Sequence, residues 1–269
     1  MNLLVITHGG GCQDGLMSAL IFKNKFPNCD IYFERYGRTP PNVKNRDIIL
    51  VDFSYKKPEM LKLIDEANSV IVLDHHKSAE IELEGLQGAS ITFDMKKSGA
   101  MLAHDYAYPH TEPNWLTSYV QDRDLWEWKL PNSKEIHAAL GSYPMELDVW
   151  NEISKLDPND LVTEGKTLLR KDQQIVQQHI KQAQIKTILG HEVPVVNATV
   201  LISEIGEALS KNKPFACMYY DSYGKRHYSL RSNKETNGID VSLIAGHWAG
   251  GGHFSAAACS GDINKFIWS

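Results

Sequence analysis

Short β-branched runs alternate with amphipathic segments through the first 125 residues, and no other feature restricts the fold as much. Strands separated by helix-length stretches pair in parallel, with the helices covering the sheet. Leu3 to Thr7, Asp30 to Tyr36, Ile48 to Phe53 and Val70 to Asp74 read as strands. Between them, Asp14 to Phe26 repeats Leu16 with Leu20 and Met17 with Ile21, and Pro58 to Asn68 repeats Met60 with Ile64. That is the spacing of one helix face. Ser98 caps a helix over Gly99 to Tyr106, and Pro113 opens another that runs into Asp122.

The pattern breaks into turns and short helical stretches between Pro131 and Pro158. Asp160 to Leu189, rich in Gln and Lys, predicts one long polar helix that connects two lobes. A second alternation follows: strand over Val193 to Thr199, helix over Leu201 to Lys211, strands over Phe215 to Asp221 and Arg226 to Arg231, a short helix at Val241 to Ala245 and a last strand over Phe254 to Ser260. The expected fold is α/β in two lobes. Residues 1–150 form a mostly parallel sheet with flanking helices, 151–190 a helical connector, and 191–269 a smaller α/β domain with a mixed sheet.

Composition narrows the function. A formal net charge of -5 excludes broad neutralisation of duplex nucleic acid, so an anionic substrate must be met by local groups or metal ions. No apolar run is long enough to cross a bilayer, and the glycine-rich turn after Thr7 follows no basic leader, which predicts a cytoplasmic protein. Cys12, Cys29, Cys217 and Cys259 are scattered without zinc-knuckle spacing and are expected to be reduced.

In open parallel sheets, ligands bind at the carboxyl ends of the strands. The first strand runs into Thr7-His8-Gly9-Gly10-Gly11-Cys12-Gln13-Asp14, the third ends in Val51-Asp52, and the fourth in Leu73-Asp74-His75-His76. Asp122 and Asp124 close the helix after Pro113. A single Asp after a strand is ordinarily a helix cap, and a single His ordinarily just a hydrogen-bonding group. Several gathered at one edge repel one another, and a divalent cation is the usual remedy. Carboxylate and imidazole together suit manganese, magnesium or iron.

The series His8, Asp14, Asp74-His75-His76 and Asp122, with Gly250-Gly251-Gly252-His253 before Ala256-Ala257-Ala258, resembles the DHH phosphoesterase superfamily and the C-terminal domain that accompanies many of its members. The resemblance spans nearly the whole chain. It implies two divalent ions, manganese being the family-like expectation, one held by His8 and Asp52 and the other by Asp14, Asp52, His75 and Asp122. Asp52 would bridge them. Asp122 is preferred over Asp124 as the family's ligand. The resemblance also implies that His76 faces the substrate phosphate and that Asp74 orients an imidazole. Cys12 stands where the family commonly has a further Asp. It is either a thiolate ligand or merely a small residue in a tight turn. In the second lobe, the glycine amides, His253 and Arg231 are expected to grip a phosphate, although a flexible turn and a solvated strand-end arginine are the plainer alternatives.

The implied chemistry is metal-assisted hydrolysis of phosphodiester or phosphomonoester bonds in short oligonucleotides or nucleotides, bound in a cleft between lobes. An inorganic pyrophosphatase or polyphosphatase, and a catalytically weak nucleotide sensor, remain as alternatives. A homodimer is within expectation, since the six tryptophans suit cores and interfaces equally.

Overall fold

A computed structural model describes residues 2–269 and divides the chain into two units, Met1–Leu169 and Arg170–Ser269. The first contains β1 (Leu3–His8), α1 (Gln13–Lys25), β2 (Asp30–Glu34), β3 (Asp47–Val51), α2 (Lys57–Glu66), β4 (Ser69–Asp74), α3 (Lys77–Glu82), β5 (Ser90–Phe93), α4 (Gly99–Ala107), α5 (Trp115–Asp124), α6 (Ser133–Leu140) and α7 (Leu147–Ile153). Its five strands are all parallel, in the order β2-β1-β3-β4-β5. The period-2 alternation of strands divides their side chains between two cores. Leu3, Val5, Ile49 and Val51 pack on one face with Leu16, Leu20, Ala103 and Trp150, whereas Leu4, Ile6, Ile48, Leu50 and Val72 pack on the other with Met60 and Leu63.

This order fixes the site. β1 leads into α1 on one face and β3 into α2 on the other, so the loops after these neighbouring strands part and leave a crevice at their carboxyl ends. Pairing of Thr7 with Val51 and of Val51 with Leu73 brings the three strand ends level.

The border between units falls inside α8 (Val162–Gln182), which follows a 3-10 turn at Pro158–Leu161. The second unit continues with β6 (Gln184–Ile188), β7 (His191–Asn197), α9 (Ile202–Ser210), β8 (Ala216–Ser222), β9 (Lys225–Arg231), α10 (Val241–Gly246), β10 (Gly251–Gly252) and β11 (Ala256–Asp262). Its mixed six-stranded sheet runs β10-β11-β9-β8-β7-β6, with only β7 and β8 parallel among the described pairs.

The long helix is shorter than the sequence predicts. It ends at Gln182, and residues 184–188 form a hairpin with β7. Ile185, Thr187 and Ile188 favour a strand, and Leu189 and Gly190, at φ 47 and 81, supply the left-handed two-residue turn that closes such hairpins. No described helix is long and apolar enough to cross a membrane. All four cysteines are free thiols.

Candidate metal centre

Six side chains from four strand-end or helix-end segments converge at the crevice. His75 Nε2 lies 3.3 Å from Asp52 Oδ1, 3.7 Å from Asp14 Oδ2 and 3.5 Å from Asp124 Oδ2. On the other side of the same carboxylate, Asp52 Oδ2 lies 3.3 Å from Cys12 Sγ and 3.9 Å from His8 Nδ1. Asp52 therefore turns one oxygen to each of two donor groups. In each group, His8 with Cys12 and Asp52 and Asp14 with His75 and Asp124, the donor atoms lie within 4.8 Å of one another.

Local structure holds these groups in place. Gly10 and Gly11, at φ 77 and 91, turn the chain from β1 towards Cys12, which caps α1 by accepting from the Gly15 amide at 3.4 Å. Asp14, in the first turn of α1, accepts from the amides of Gly99 at 2.6 Å and Ala100 at 2.9 Å, donors that the start of α4 leaves unsatisfied. Only glycine fits at Gly99, because a Cβ there would lie 2.4 Å from Asp52 Cβ and 2.8 Å from Asp14 Oδ2. Asp52 itself has φ 53, a left-handed conformation that Asp tolerates better than a branched residue does. Asp74, fully buried, accepts from Ser54 Oγ at 2.5 Å and the His75 amide at 2.7 Å, and lies 2.7 Å from His76 Nδ1. It orients His76, and with Asp52, His75 and His76 it makes a further group whose donor atoms lie within 4.8 Å of one another.

The charges explain what the cluster is suited to hold. Burial, then the negative charge of Asp14, raises the Asp52 carboxyl to about 7, and the same two causes raise Asp124 to about 6. Burial opposes a charged His75, but its hydrogen bond to Asp52 and the charges of Asp124 and Asp14 prevail and raise it to about 10. His8 is lowered to about 4 by burial and by the charge of His76. Burial followed by the Asp52 charge pushes the Cys12 thiol well up. Three carboxylates thus compete for one imidazolium. A site of this kind favours cations of higher charge, and its carboxylate, imidazole and thiol donors fit divalent metal ions.

The structure reverses one sequence preference. Asp122 is buried but faces away from the crevice. Its carboxylate accepts from the Lys129 amide at 2.8 Å, the Leu130 amide at 3.4 Å and Ser133 Oγ at 2.6 Å, and so holds the turn between α5 and α6. Two residues along a helix is about 200° of rotation, which puts Asp124, not Asp122, beside His75.

Of the second-unit candidates, Arg231 ends β9, with Nη2 donating to Ser203 Oγ at 3.1 Å and its stem packed against Gly206 of α9. The amide of Gly250 donates to Ala245 O at 3.0 Å and that of His253 to Ala256 O at 2.8 Å, so these two amides serve the fold rather than an anion-binding concavity. Gly251 and Gly252 pair with Ala258 and Ala257 in the sheet. Sequence reasoning missed Ser54, Gly99 and Ala100, which hold the donors. The Ser98 cap already marked the helix start that supplies two of them.

No family model matches the chain. An uncharacterized protein, R106, of Acanthamoeba polyphaga mimivirus is 28% identical over 280 residues, an alignment that covers 94% of this chain and 66% of that protein. Oligoribonuclease NrnB of Bacillus subtilis is 26% identical over 211 residues, covering 74% of this chain and 52% of its own. The chain thus spans about two thirds and about half the length of these curated relatives. A solved DHH domain, from a protein assigned to a family of ribosomal proteins, shares the fold at a TM-score of 0.51 and 12% identity, over 96% of this chain and 82% of that one. The Asp74-His75-His76 strand end thus sits in a chain that shares the fold of a DHH domain and has an oligoribonuclease among its relatives.

Proposed function

We propose that this protein is a two-metal phosphoesterase that hydrolyses short oligonucleotides or nucleotides. The observation that carries the reading is the placement of Asp52, with one oxygen facing His75 and the other facing His8 and Cys12. His8, Cys12 and Asp52 would hold one ion and Asp14, Asp52, His75 and Asp124 the second, with manganese expected and magnesium or iron as substitutes. Bound there, the ions supply Lewis acidity that activates water and offsets charge on the phosphoryl oxygens.

The chain's own residues do the positioning. Asp14, fixed by the start of α4, and Asp52, fixed by β3 and by the close approach of Gly99, keep their geometry at no reorganisation cost when substrate arrives. Burial lowers the proton affinity of His76, but the charge and hydrogen bond of Asp74 outweigh it, which favours the protonated form and orients the imidazole to donate to a phosphoryl oxygen. In the second unit, Arg231 and His253 are assigned to a nucleotide phosphate, with Gly250, Gly251 and Gly252 shaping the strand that presents His253. The kinship to an oligoribonuclease favours nucleotides over inorganic polyphosphates. Cytoplasmic action and a homodimeric state belong to the same reading.

The test is Asp52→Asn, which keeps the size of the side chain and tolerates the left-handed backbone. With manganese and labelled dinucleotides, the wild type is expected to release mononucleotides and the variant to lose turnover while keeping its fold. Retained turnover in the variant overturns the two-metal reading. A wild type that binds nucleotides without cleaving them is a sensor.

A further inference from the structure

The loop that follows β2 carries Arg35, Tyr36 and Arg38, all exposed, and Tyr36 lies against His8 at the crevice. Tyr36 is 58% exposed, yet its ring is held from one side. It lies 4.7 Å, centroid to centroid, from the buried Phe53 and 5.7 Å, edge on, from His8. Phe53 is braced edge-on by Tyr55 at 4.9 Å, and the Tyr55 hydroxyl donates to the buried Glu34 at 2.5 Å, so the surface beneath Tyr36 is supported from the core. Arg35 adds a positive charge beside it, its side chain lying over Gly10, where a Cβ would approach Nε to 2.9 Å. A pinned, solvent-facing aromatic ring beside a metal-ligand candidate, with a guanidinium alongside, matches the two parts of a nucleotide. The ring offers a stacking face to a base, and the guanidinium offers charge to a phosphate.

We infer that Tyr36 is the stacking platform for a nucleobase of the substrate, with Arg35 meeting an adjacent phosphate. The inference rests on the phosphoesterase reading above and sharpens it. A pyrophosphate or polyphosphate has no ring to place there, so the platform makes the substrate a nucleotide. Stacking is tolerant of base identity, so the platform favours any short oligonucleotide over one particular sequence.

The alternative is that Tyr36 only shields and positions His8. The two roles separate when manganese-loaded full-length protein is assayed on a dinucleotide and on its abasic analogue, as wild type, Tyr36→Ala and Tyr36→Trp. A stacking platform predicts that Tyr36→Ala raises KM for the dinucleotide roughly 5- to 150-fold with little change in kcat. It also predicts no change on the abasic analogue, and recovery in Tyr36→Trp. Equal loss on both substrates, a fall in kcat on both, or an unchanged dinucleotide KM overturns the inference. If the wild type cleaves neither substrate, the phosphoesterase reading fails by itself. Calorimetric binding of the dinucleotide then reads the platform, with the same fold-loss expected in Tyr36→Ala and an unchanged affinity overturning it.

Discussion

The carboxyl edge of the first sheet and the glycine turn of the second unit both carry a conspicuous motif, but the physics behind them differs. At the sheet edge, Asp14, Asp52, Asp74 and His75 are each no more than 2% exposed, and the Asp14 and Asp52 carboxylates oppose one another electrostatically. Nothing about folding requires such a cluster, which costs stability until a partner of opposite charge joins it. At the turn, close packing accounts for Gly250 and Gly252, because a Cβ on Gly250 would lie 2.2 Å from Ala258 O and one on Gly252 2.5 Å from Ala256 O. A run of glycines reports a close backbone approach. A buried group of like charges reports a ligand.

The largest effects should come from the two neighbouring aspartates of the first unit. Asp124→Ala is expected to lower kcat/KM on the order of 100-fold or more and to leave the metal-free protein as stable as before or more so, because it removes a carboxylate that its neighbours oppose. Asp122→Ala should do the reverse, losing about 2–4 kcal/mol of stability with its three hydrogen bonds while manganese affinity is kept. Thermal unfolding and kinetics on the two variants decide the point, and an exchange of the two outcomes would return the ligand role to Asp122.

Metal removal gives a smaller effect. Manganese at 100 times its dissociation constant should stabilise the protein by about 2.7 kcal/mol. Hydrogen exchange should localise the gain, with the Gly99 and Ala100 amides slowing because the carboxylate they hold is drawn into the site. Exchange in β8 and β9 should be unaffected, and a larger response there would break the contrast between the two regions. Smaller still, Gly250→Ala should cost about 1–3 kcal/mol by crowding β11 and leave manganese affinity unchanged. Weakened metal binding in that variant would mean that the glycine turn serves the site directly.

Much of this was legible in the sequence because strand signals are local. Each β-branched run of the first sheet ended within two residues of its predicted end, and the parallel order then set His8, Asp52 and Asp74 side by side. The choice between Asp122 and Asp124 was not legible, since it depends on the rotation of α5 and on a turn through Trp126, Trp128 and Asn132, all in left-handed conformations. The extent of α8 was hidden by a polar Gln- and Lys-rich stretch that suits a helix up to Gln182 and an edge strand beyond it. Among the short elements, α3 and β5 went unseen because neither buries a continuous apolar face: none of the six α3 residues is buried, and the β5 positions are exposed or half-buried.

The central claim is that Asp52 joins two ions, and the direct measurement is the manganese stoichiometry of metal-stripped protein by equilibrium dialysis. Two ions per wild-type chain, falling to one or none in Asp52→Asn, is the predicted result. A single ion in the wild type, or two retained in Asp52→Asn, would contradict it.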